Sequence, residues 1–317
     1  MKQLCVAALC LVAPVAAAQS WPAKPIRIIV PHQVGGQADP AARMVNQYLT
    51  PVLGQTFIVD NRPGAAGMIG AEACAKAAAD GYTLCGTNTN VIIVNPLVYP
   101  KLPYDPPRDY APVIQFGYLD SAVVVNASLP VNSMQELIAL ARAKPDSINW
   151  ASFGEGSPGH LYAAWYKSNG VPFFYVPYKT GGQTLTAVVS GEAHVMNYST
   201  GSAAAQYKAG KVKLLAAGGE RRSLFTPEVP SYREAGIDTV IRTWVGMFAP
   251  AATPRDIVLR FNAEVAKLLN DPKIKAQYLT PQTIEPAGGS PEAFAAVLRD
   301  DREKYAKLVK IAGVKPE

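Results

Sequence analysis

The chain has 317 residues, 49% of them hydrophobic and 17% charged, which is too long for one small core and too apolar for a disordered segment, so two globular lobes are expected. Lys+Arg 30 against Asp+Glu 24 gives a formal charge of +6 without any run of five basic residues, which excludes a nucleic-acid footprint and suits a small anion. Gly 25 and Pro 27 imply many short turns, as in a multi-element α/β protein rather than a helical bundle.

Residues 1–20 begin with a single basic residue, Lys2. An apolar stretch from Leu4 to Val15 follows, and then Ala16-Ala17-Ala18. This is the order of a secretory signal, with cleavage expected after Ala18. The apolar stretch is too short to span a bilayer and contains Pro14. The mature chain is therefore expected in an exported compartment, the periplasm. Only Cys74 and Cys85 remain as thiols there. An even pair in an oxidising compartment invites a disulfide, whereas their helical and strand settings suit two buried thiols equally well.

Strands and helices then alternate. Lys24 to Pro31 is a β-branched run that ends in the loop His32 to Ala38, and apolar Ala42, Val45 and Leu49 predict a helix over 39–53. Phe57 to Val59 is the next strand, followed by the Pro63 to Gly67 loop, a helix from Met68 to Ala78 and a strand from Tyr82 to Gly86. The same order restarts after Pro112. It gives strand 122–125, helix 133–143, strand 149–152, a Gly-rich loop over 154–159, helix 158–169, strand 173–176, helix 183–190 and strand 194–197. An extended segment, Arg242 to Phe248, returns to the first half, and helices 254–269 and 291–311 close the chain. Repeated strand-loop-helix units predict mainly parallel sheets flanked by helices.

Two junctions are built alike. Gly35-Gly36-Gln37-Ala38 leads into Asp39-Pro40, and Gly154-Glu155-Gly156 leads into Ser157-Pro158. Asp and Ser are favoured N-caps and Pro is favoured at the first helical position, so each junction is expected to present backbone N–H groups at the positive end of a helix. Asp39 is expected to cap its own helix; direct contact with a ligand amine is the alternative. Neither loop has the Walker or dinucleotide spacing. Two such ends facing one cleft would hold a small carboxylate.

Catalysis finds little support. Ser157 has Glu155 where a nucleophile elbow needs a glycine two residues before the serine, and its nearby histidines are His160 and His32. His194 starts a buried strand. With no His-x-x-x-His, no Cys cluster and no dense carboxylate set, neither metal nor cofactor is expected. The alternatives to a binding module are an exported serine hydrolase using Ser157 and a ligand sensor for a signalling partner.

Many ordered segments point to one family. They include 21–31 (Trp-Pro-Ala-Lys-Pro-Ile-Arg-Ile-Ile-Val-Pro), Gly35-Gly36 with Asp39 and Ala42-Arg43, and 59–67 (Val-Asp-Asn-Arg-Pro-Gly-Ala-Ala-Gly). Asp80-Gly81-Tyr82-Thr83-Leu84, Leu102 to Pro106, Gly154 to Leu161, Val176 to Lys179 and Trp244 to Pro250 follow in order. The chain resembles the Bug-type extracytoplasmic solute receptors, the substrate-binding proteins of tripartite tricarboxylate transporters.

The resemblance implies an α/β periplasmic binding protein (type II) of two lobes joined by two crossing hinge strands, for which 122–126 and 242–248 are the candidates. Lobe 1 would hold residues 19–122 and 245–317, and lobe 2 residues 123–244. It also implies a small carboxylate as ligand, a membrane permease as partner and a monomeric receptor without enzymatic activity. The expected ligand-lining residues are His32, Gln33, Val34, Gly35, Gly36, Thr87 and Asn88 on one side. On the other are Phe153, Gly154, Gly156, Ser157, Gly159, His160, Thr180 and Tyr198, with Trp244 at the crossing. Phe153, Tyr198 and Trp244 would accommodate an aromatic mono- or dicarboxylate by stacking. The chain departs from the family's pattern at His32-Gln33, Glu155, Thr180 and His194.

Overall fold

The computed structural model describes residues 21–314, so the proposed signal segment lies outside the described residues. The first lobe is built on a sheet of order β11-β4-β10-β3-β1-β2. Its strands are β1 (Ile26–Val30), β2 (Phe57–Asn61), β3 (Thr83–Asn88), β4 (Tyr110–Leu119), β10 (Thr243–Pro250) and β11 (Ile284–Gly288). The second lobe has the order β7-β6-β8-β5-β9. Those strands are β5 (Ser121–Asn126), β6 (Asn149–Ser152), β7 (Phe174–Pro177), β8 (Val195–Ser199) and β9 (Val212–Ala217). The helices used below are α1 (Asp39–Leu53), α2 (Met68–Ala75), α3 (Met134–Ala143), α4 (Pro158–Ser168), α5 (Gly181–Ser190), α6 (Thr200–Lys208), α7 (Arg255–Asn270) and α8 (Pro291–Ala312).

The sheets are mixed, which corrects the expectation of mainly parallel ones. β1 runs parallel to β2 and β3, and β6 runs parallel to β7 and β8. Each lobe then adds antiparallel strands: β10, β4 and β11 in the first, β5 and β9 in the second. β4 and β5 flank one exchange between the lobes and β9 and β10 the other, where the chain enters a sheet from the other side instead of through a helical crossover, and β11 is added at the edge beside β4.

The crossing positions also move. Residues 122–126 lie within β5, paired on both sides by β8 and β9, and 243–248 lie within β10. The chain changes sheets at Asp120, between β4 and β5, and returns through 218–242. The lobes also share a core. Phe294, Leu298, Tyr305, Leu308 and Val309 of α8 belong to one buried cluster with Trp244 and Phe248 of β10 and with Leu161, Tyr162 and Tyr166 of α4. Their burial, at roughly 1.5–3 kcal/mol for each large apolar side chain, makes α8 a strut across both lobes rather than a part of the first alone. Cys74 of α2 and Cys85 of β3 are joined as a disulfide with Cα atoms 6.1 Å apart, which decides between the two readings left open by the sequence.

Candidate functional site

The carboxyl ends of β1 and β6 feed the two glycine loops into α1 and α4, and the loops face each other across the interlobe cleft. The larger chamber, of about 490 Å³, is lined by His32, Gln33, Gly36 and Asn88 from the first lobe and by Phe153, Gly156 and Ser157 from the second. Asn95, Val98 and Tyr99, on the helical turns after β3, complete its wall. A second chamber of about 270 Å³ lies toward the crossing at Asp120, and Gln37 and Phe153 line both. Tyr198, Gly181, Ser199, Leu119 and Ile241 belong to this inner chamber.

The first loop is held differently from the expectation. Asp39 is 2% exposed and does not cap α1, whose N-cap is Ala38 without a side-chain bond. Its Oδ2 accepts from the Gly35 amide at 2.9 Å and from Arg43 Nε at 2.8 Å, and its Oδ1 accepts from Asn61 Nδ2 at 2.9 Å. Asn61 Nδ2 also donates to the His32 carbonyl at 3.1 Å. Burial acts to raise the Asp39 pKa, but the bonds from Arg43, Gly35 and Asn61 outweigh it and hold the carboxyl below its usual value. The Gly36 amide donates to the Gln33 carbonyl at 2.9 Å, and a Cβ on Gly36 would meet that oxygen and His32 Cβ at 2.9 Å. The amides of Gly35 and Gly36 are thus spent within the loop, whereas those of Val34 and Gln37 form no hydrogen bond among the described residues.

The second loop follows the N-cap rule. Ser157 Oγ accepts the His160 amide at 3.4 Å and donates to the Gly154 carbonyl at 2.7 Å. His160 Nδ1 accepts the Gly156 amide at 3.1 Å, and its ring stacks on Tyr175 with centroids 4.7 Å apart. With Nδ1 committed as an acceptor and no Ser157 hydroxyl on the imidazole, the pair is a loop clasp and not a nucleophile with its base. Burial lowers the His160 pKa, only partly offset by Glu155, and burial pushes His32 down to about 4. Both rings are neutral near pH 7. His32 Nδ1 is buried with no partner among the described residues.

Two further helix starts reach the inner chamber. Thr180 caps α5 by accepting the Gln183 amide at 3.2 Å, and Ser199 caps α6 by accepting the Ser202 amide at 3.5 Å. Pro158, Gly181 and Ser199 therefore bring the starts of α4, α5 and α6 to one wall, each carrying the positive end of a helix. The sequence pattern gives no helix over 200–208; Ser199 before the Ala203-Ala204-Ala205 run is the available signal. Asp120, also unforeseen, is 4% exposed and accepts from Thr200 Oγ1 at 2.6 Å and Ser223 Oγ at 2.7 Å. Burial raises its pKa against those bonds.

Several expected residues stand elsewhere. Trp244 is 0% exposed, donates from Nε1 to Asp301 at 2.8 Å and packs edge-on to Phe294, so it cannot stack on a ligand. Strand alternation turns it away from the cleft into the shared core. Thr87 is 2% exposed and lines a small internal space beside the disulfide, not either chamber. Gly159 lies beneath β6, its carbonyl accepting from Trp150 Nε1 at 2.9 Å, and His160 supports its loop from behind. Val34, Gly35 and Gly154 shape the loops without lining a chamber, and Thr180 stands beside the inner wall as a cap. Among the described residues no group of three His, Cys, Asp or Glu could hold a metal, and no helix is long and apolar enough to cross a membrane.

Residues 41–314 match the model of the tripartite tricarboxylate transporter family receptors. The chain belongs to this receptor family. It is 34% identical to an uncharacterised-family protein of Bordetella bronchiseptica over 309 residues, covering 97% of this chain and 91% of the relative. Protein BugT of Bordetella pertussis is 30% identical over 308 residues, covering 96% of this chain and 94% of the relative. Among solved structures, Rpa4515 of R. palustris, determined with adipate, superposes with a TM-score of 0.79 at 32% identity, covering 94% of this chain and all of that one. The family consists of binding receptors rather than enzymes, so Ser157 and His160 need no catalytic role.

Proposed function

We propose that this receptor captures a small carboxylate between its two lobes in the periplasm and presents it to the membrane component of a tripartite transporter, as a monomer freed of its first 18 residues. The supporting observation is the interlobe cavity that joins the His32 to Gln37 loop to the Phe153 to Ser157 loop, with three helix starts on its inner wall. Helix N-termini favour an anion with no cationic side chain needed. The adipate of the R. palustris relative supports the class of ligand. Phe153 and Tyr198, with ring centroids 6.2 Å apart, offer apolar faces for the body of the ligand. Thermal unfolding with a panel of mono-, di- and tricarboxylates tests this reading. A ligand at about 100 times its dissociation constant adds about 2.7 kcal/mol of stability. A panel in which no acid moves the midpoint refutes it.

A further inference from the structure

Charge in the cleft is distributed against a doubly charged anion. Among the described residues, neither chamber is lined by Lys or Arg, and the two charged side chains that do line them are acidic: Asp120 in the inner chamber and Glu155 in the outer. The two are not equivalent. Asp120 is buried and its carboxylate is committed to Thr200 and Ser223. Glu155 is exposed on the turn between Gly154 and Gly156 and forms neither hydrogen bond nor ion pair with a described residue. Opposite Glu155, the first lobe supplies His32, whose burial keeps its ring uncharged near pH 7, with Asn88, Asn95 and Tyr99, and none of these is a cation to offset it. Asp39, the other acidic side chain near the first loop, is fully engaged by Gly35, Arg43 and Asn61. Glu155 is thus the open carboxylate of the cavity.

A ligand whose carboxylate sits at the helix starts of the inner chamber extends its other end past Phe153 into the outer one. A second carboxylate there meets an uncompensated negative charge, whereas an ammonium or a ring N–H meets an acceptor. Resting on the receptor reading above, we propose that Glu155 makes this chain selective for carboxylates whose far end carries a cationic or N–H-donating nitrogen, over dicarboxylates of the same length.

Isothermal titration calorimetry with matched acids tests this: 6-aminohexanoate against adipate, 4-(aminomethyl)benzoate against terephthalate, and hexanoate as the acid with no polar far end. The wild-type protein is expected to bind each amino acid at least about tenfold more tightly than its dicarboxylate partner, a difference of about 1.4 kcal/mol. Glu155→Gln is expected to reduce that preference to about threefold or less while leaving hexanoate affinity within about twofold. Dicarboxylates bound as tightly as the amino acids by wild-type protein, or a preference that survives Glu155→Gln, overturn the proposal and leave the receptor reading standing. If none of the five acids binds, the proposal falls, and the wider carboxylate panel decides the receptor reading separately.

Discussion

Replacing Asp39 by Ala removes a carboxylate that never touches the cavity but ties down one of its walls. Three donors lose their acceptor: the Gly35 amide, Arg43 Nε and Asn61 Nδ2, the last of which also holds the His32 carbonyl. Breaking a fully buried charge pair costs about 3–5 kcal/mol. Here the Arg43 side chain is 48% exposed and regains water, so the expected loss is nearer about 1.5–2.5 kcal/mol. The freed loop must then be ordered when ligand binds, which predicts an affinity loss of about tenfold. Because folding depresses the Asp39 pKa, its contribution is complete above the unfolded value near about 3.9 and disappears as pH falls through the folded one. Urea unfolding of both proteins at about pH 7 and about pH 3 measures the stability term, and calorimetry with a bound acid measures the affinity. A variant destabilised as expected but with affinity within about twofold of wild type refutes the positioning role.

Further outcomes follow from neighbouring geometry. A Cβ on Gly181 would lie 2.6 Å from the Tyr198 ring, so Gly181→Ala should displace that ring and weaken binding about fivefold to tenfold with little change in melting temperature; unchanged affinity in a calorimetric titration would show that Tyr198 does not shape the site. Trp244→Phe removes the hydrogen bond to the buried Asp301 carboxylate, leaving it only Lys304 Nζ at 4.0 Å, and should cost about 1–3 kcal/mol in urea unfolding with affinity preserved, whereas lost affinity at full stability would place Trp244 against the ligand. His32, His160 and His194 all have pKa values lowered by burial. Below about pH 6.5 the unfolded chain takes up protons that the folded chain does not, so stability should be full at about pH 7.5 and should fall between about pH 6.5 and 5. A level or rising stability over that interval as the solution is acidified contradicts the buried, neutral histidines.

The parts of the fold visible in the sequence are those with a clean local period. The β1 run Ile26 to Val30 and the 39–53 helix are readable because β-branched and 3.6-residue patterns are uninterrupted. β4 escapes notice because Pro112, Gln115 and Gly117 break its apolar pattern, and β11 because Pro286 and Gly288 suit only an edge strand, which it is. The two loops are legible as turns before helices. The use of their amides is not, since Asp39 meets Asn61 only after β1 and β2 pair, and Asp120 meets Ser223 across 103 residues. Trp244 misleads because an aromatic residue next to a crossing gives no sign of the face it occupies.

The central claim is that ligand is held between the lobes by the loops after β1 and β6. Calorimetric titration of the mature receptor with its best-bound carboxylate, repeated with Gly36→Val in the first loop and Phe153→Ala in the second, tests it most directly. One site per chain is predicted in the wild type, with affinity lower by about tenfold or more in each variant while both remain folded. Wild-type affinity in both folded variants would contradict the claim and place the ligand elsewhere.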